Sequence, residues 1–187
     1  MYQADDFRSS YARKSTEALL DLALRGARDL KPEALDLLRI ELNARDIHPA
    51  IDRAIRFQLQ PPSEGEKEAL VARFRSLACP VCGRSESPLT ASWVTRASYF
   101  LLFTRFHSEL IVGCAPCIDA AATRANKSLL KFGWWSPPLG LVWSIQGFLR
   151  NRRTRNPLYH VAPTPELRAY VSQNLGEVVF RVESGAA

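Results

Sequence analysis

The chain has 187 residues, 47% of them hydrophobic and 24% charged, with a net charge of +6. That balance excludes a wholly disordered chain and suits one compact domain or two small lobes. The positive charge is unevenly placed, with four arginines between Arg150 and Arg155, and such a run favours phosphate backbones, lipid headgroups or an acidic protein face.

Met1 to Tyr11 carries Asp5, Asp6 and Arg8 where a secretory signal needs an apolar stretch. The expected location is therefore the cytoplasm, with peripheral attachment at the inner face of the membrane as its extension. In a reducing compartment, two Cys-x-x-Cys pairs are read as metal ligands before disulfides.

The first helix expected in chain order follows Ser15, a capping residue, and exits near Gly26, with Leu19, Leu20, Leu22, Ala23 and Leu24 supplying its apolar residues. Pro32 opens a second, with Leu35, Leu38 and Leu42 on one face, packed on the first as a hairpin. A third carries Ile51, Ile55 and Leu59 and stops at Pro61-Pro62. A fourth has acidic residues early, Arg73 and Arg75 late, and delivers the chain into Cys79.

Between the cysteine pairs the residues are rich in Trp, Val, Tyr, Phe and Ile, which predicts two or three antiparallel strands. After Cys117 an alanine-rich stretch is helical as far as Gly133. Near the end, Thr164 caps a helix opened by Pro165, Gly176 ends it, and Glu177 to Val182 forms a short strand. Pro61-Pro62-Ser63 and the basic stretch Asn151 to Pro157 are the linker candidates.

The expected class is α+β: a helical region over 1–78, a four-cysteine zinc ribbon over 79–117, and a tryptophan-rich region over 118–187 ending in helices and a short strand. All three parts are expected to form one compact unit.

Cys79-Pro80-Val81-Cys82 and Cys114-Ala115-Pro116-Cys117 are separated by 31 residues, and each pair can turn two sulfurs toward one tetrahedral ion. Four soft ligands with no open position describe structural zinc. A redox dithiol is the rival reading, but it needs one pair in a β-α-β setting, whereas here two pairs bracket strands.

Phe132 to Leu149 runs 18 residues without a charge. Pro137-Pro138, Gly133, Gly140 and Gly147 argue against its crossing a bilayer as a helix. It suits core packing over the ribbon, or a binding surface made by Trp134, Trp135 and Trp143 together with Arg150, Arg152, Arg153 and Arg155.

The first cysteine pair, the aromatic ribbon, the Cys-Ala-Pro-Cys-Ile-Asp start of a helix and the Gly-Trp-Trp-Ser-Pro-Pro-Leu-Gly stretch together resemble a group of uncharacterised bacterial zinc-ribbon proteins. Ser136 stands where their pattern has glycine. The resemblance implies zinc and this architecture, and it implies no reaction.

His48, His107 and His160 fall in no catalytic arrangement, and there is no Walker loop, dinucleotide fingerprint or zinc-protease motif. The expectation is a non-enzymatic binding protein with no small-molecule substrate, whose partner is a protein or a membrane surface. An immunity or inhibitor protein that neutralises a toxin is one alternative, and a nucleic-acid-binding zinc ribbon is another.

Overall fold

In the computed structural model, residues 2–47, 49–100, 103–133, 139–156 and 160–185 are described. Helix dominates them, with nine α-helices and a single two-stranded antiparallel sheet among the described residues. The chain divides into two compact units, Met1–Leu70 with Val171–Ala186, and Val71–Tyr170 with Ala187.

The first unit holds α1 (Tyr2–Arg13), α2 (Thr16–Arg25), α3 (Pro32–Ala44), α4 (Ala50–Leu59), most of α5 (Glu64–Arg75), the end of α8 (Pro165–Gln173) and all of α9 (Leu175–Ser184). Helix α2 begins as its cap dictates, because the Ala18 N–H donates to Ser15 Oγ at 3.2 Å. Helix α3 opens on Pro32, and its buried Leu35, Leu38 and Leu42 join Leu19, Ala23, Ile51 and Ile55 in one core. Tyr11 of α1 enters the same core. Sequence reasoning assigned no helix to 2–13, because Phe7 and Tyr11 are its one clear apolar i, i+4 pair among many polar residues. At α5, Ser63 and Glu66 form a reciprocal capping box: the Ser63 N–H donates to Glu66 Oε2 at 2.8 Å, and the Glu66 N–H donates to Ser63 Oγ at 3.4 Å.

The strand expected over Glu177 to Val182 is a helix, and Gly176 lies inside α9 instead of ending its predecessor. Leu175, Val178 and Val179 are buried at helical spacing, so the period outweighs the β-branched composition that suggested a strand. Gly176 is required by a close approach: a Cβ there would strike the Leu24 carbonyl oxygen and the buried Gln58 amide, whose Nε2 donates to the Ala23 carbonyl at 2.8 Å. We expect Gly176→Ala to cost about 2 kcal/mol, overpacking outweighing the gain in helix propensity. A urea melt of the variant as stable as the parent would refute this contact.

The second unit is built on a hairpin, β1 (Leu89–Phe100) and β2 (Phe103–Cys114), in register from Leu89 opposite Cys114 to Phe100 opposite Phe103. Helix α6 (Ala115–Phe132) leaves β2 without a loop and packs on β1, and α7 (Leu139–Thr154) packs on both α6 and β1. The basic stretch from Asn151, expected as a linker, is therefore helical through Thr154.

The free edge of β1 is closed by side chains in place of a third strand. The Thr95 N–H donates to Asn151 Oδ1 at 2.9 Å, and Asn151 Nδ2 donates back to the Thr95 carbonyl at 2.9 Å and to Asn126 Oδ1 at 2.8 Å. The Ala97 N–H donates to Ser128 Oγ at 3.1 Å, and the Thr164 hydroxyl donates to the Ala91 carbonyl at 2.9 Å. Unpaired edge groups that would otherwise invite another strand are thus satisfied inside the unit. Thr164 also accepts from the Leu167 N–H at 3.3 Å, the N-cap its sequence predicts.

Candidate metal centre

The hairpin register carries the chemistry, because pairing Leu89 with Cys114 brings the end of β2 back to the loop that precedes β1. In that loop the Gly83 N–H donates to the Cys79 carbonyl at 2.7 Å, and the Cys79 N–H donates to the Arg84 carbonyl at 2.8 Å. Gly83 takes φ 72°, a left-handed conformation that costs glycine little and other residues more. The tight bend leaves the Cys79 and Cys82 side chains on one concave side. Opposite them, Cys114 is both the last residue of β2 and the N-cap of α6, and Cys117 stands in that helix's first turn behind Pro116.

All four Sγ atoms lie within 4.8 Å of one another, and Cys82 Sγ stands 3.7 Å from Cys114 Sγ. Four sulfurs around a tetrahedral ion at a metal–sulfur distance near 2.3 Å would be separated by about 3.8 Å. All four cysteines are free of disulfides. The set can hold a metal ion, and its chemistry selects a soft one.

Electrostatics point the same way. Burial pushes the Cys79 thiol up, but backbone N–H groups of Cys114, Cys82 and Val81 outweigh it and bring the thiol down to about 6. Among them the Cys114 N–H stands 3.3 Å from Cys79 Sγ. Burial raises Cys114, and burial followed by crowding against the other three sulfurs pushes Cys117 up to about 12. Four thiolates repel one another at this distance unless a cation sits among them. His107 is exposed on β2 opposite Arg96 and takes no part in the cluster. His160 is buried elsewhere, its Nε2 2.6 Å from the Thr154 carbonyl oxygen.

The residues expected to form a binding surface are treated unequally. Trp134 and Trp135 lie outside the described residues. Trp143, Arg150, Arg152 and Arg153 are exposed on α7, while Arg155 lies just past its end and pairs with Asp119 at 2.7 Å. Sequence reasoning missed the large apolar residues that accompany them: Leu141, Val142, Ile145, Phe148 and Leu149 are all at least 40% exposed. In this part of the charge-free run the helix packs on the hairpin and on α6, but its large side chains face outward. The readable signal was the opposite face, where Gly140, Gly147, Asn151 and Thr154 recur at helical spacing and are buried. Small residues let the backbone of α7 approach the hairpin closely, so its bulky side chains point away from it.

Fold and site together define a helix-dominated protein with a hairpin joined at its base by a four-cysteine centre. Set against known proteins, the chain matches no family model, no curated protein and no solved structure.

Proposed function

We propose that the protein is a non-enzymatic binding protein in which structural zinc fixes the hairpin and α7 presents an aromatic and basic surface to a partner. The carrying observation is the exposed face of α7, where Trp143 is 54% exposed and Ile145 52% beside exposed Arg150 and Arg152. Large apolar groups massed on a surface mark an interaction site, and scattered single ones do not. Four thiolates select zinc among the divalent ions of a cell and complete its tetrahedral shell, leaving no position for substrate.

Two measurements test it. Elemental analysis of protein purified without added metal should find a single zinc per chain, and iron in its place would refute the assignment. In extracts of the native host, the parent should run in a larger complex or sediment with particulate material, and Val142→Asp with Ile145→Asp should move it to monomer size with zinc retained. A parent that already runs as a soluble monomer would sink the binding reading.

A further inference from the structure

Resting on the reading of α7 as a binding face, we infer that the partner is an anionic lipid bilayer, into one leaflet of which the N-terminal half of α7 dips.

Three observations converge on this occupant. First, α7 is inverted: its small and polar residues Gly140, Gly147, Asn151 and Thr154 face the protein, and its large apolar residues face outward. A helix in water arranges these the other way round. Inverted helices are at home where the surroundings are as apolar as a protein interior.

Second, charge is graded along the axis. Leu139 to Leu149 carries none, and Arg150, Arg152 and Arg153 follow within the next turn, with no acidic residue anywhere in the helix. The charge-free turns rise about 16 Å, close to the roughly 15 Å of hydrocarbon in a single leaflet. Arginines placed beyond that depth meet phosphate headgroups.

Third, the apolar part of α7 lies at the end of its unit away from the cysteines. The Thr104 hydroxyl, one residue past the last hairpin pair of Phe100 and Phe103, donates to the Phe132 carbonyl at the end of α6. Exposed Leu130 of α6 faces Leu141 and Ile145 across an apolar groove of about 200 Å³. From there α7 returns toward the cysteine end, where Arg155 meets Asp119 near the start of α6. Insertion of the apolar end therefore leaves the metal centre in water. No helix among the described residues is long and apolar enough to cross a membrane, and the proposal asks for entry into one leaflet only.

The test is flotation of the full, metal-loaded chain with vesicles of phosphatidylcholine alone or mixed with phosphatidylglycerol. The parent should float with the mixed vesicles at low salt and far less with the neutral ones. Each arginine near an anionic surface strengthens partition about fivefold, so R150Q/R152Q/R153Q should weaken binding to mixed vesicles roughly a hundredfold. I145S and L149S should each weaken it about tenfold on both vesicle types. These positions are exposed, and unchanged melting and zinc content would show that the variants fold. A parent that stays at the bottom of the gradient with mixed vesicles, or an I145S/L149S variant that floats like the parent, overturns the proposal.

A photo-crosslinking residue at Val142, activated in host cells, separates this failure from that of the broader reading. Crosslinks to lipid support the bilayer. Crosslinks to protein alone overturn it and leave α7 standing as a binding face, and no crosslink at all overturns both.

Discussion

Cys82→Ser is expected to release the metal and unfold the base of the hairpin, at a cost above about 4 kcal/mol. The position makes the experiment discriminating, because Cys82 is exposed. An exposed cysteine exchanged for serine leaves no cavity and would ordinarily change stability by about 0.5 kcal/mol or less. A large loss can then arise only through an ion held in common with Cys79, Cys114 and Cys117, whose sulfurs lie within 4.8 Å of one another and of Cys82 Sγ. Zinc content and the melting curve should fall together, and a chelator added to the parent should reproduce the variant's melt. A variant with full zinc and an unchanged melt would remove the four-thiolate site.

The second large effect is expected away from the cysteines. Asn151→Leu should cost about 3–5 kcal/mol, since it strands the Thr95 N–H, the Thr95 carbonyl and Asn126 Oδ1 together in a fully buried place. Asn151→Asp should be no better: it keeps an acceptor for the Thr95 N–H, loses both donated bonds and buries a charge. Arg152→Gln, one residue along on the exposed face, should move the urea midpoint little and serves as the control. Amide exchange at Thr95, protected in the parent, should accelerate in both Asn151 variants. If Asn151→Leu melts like Arg152→Gln, the side-chain closure of the β1 edge carries no weight.

What could be read from the sequence is what local chemistry decides. The caps at Ser15 and Thr164 act over three residues, and the bend at Gly83 over five, so each is written in its own neighbourhood. The meeting of the two cysteine pairs was legible as well, because strands between them return the chain to its start. Three features were misread, each for a reason that lies outside the segment concerned. Helix α9 looked like a strand until Val178 and Val179 were seen buried on one helical face in the first unit. Asn151 looked like linker, and only the edge groups of β1, more than fifty residues earlier, give it a role. The two glycines of α7 looked like helix breakers, whereas both are buried on its inward face, opposite the outward Leu141, Ile145 and Leu149.

The division of the chain also has a consequence on the ribosome. Unit one is started by the first 70 residues and finished by residues 171–186, with the whole hairpin unit translated in between. Until α9 emerges, α2 and α4 wait with the surface that Leu175, Val178 and Val179 will cover still wet. The segment made in the meantime can bring its four cysteines together and close its own edge first. The order of completion therefore runs against the order of synthesis: the part begun first is the last to become native, and a premature stop before Leu175 would be felt in the opening helices more than in the metal centre.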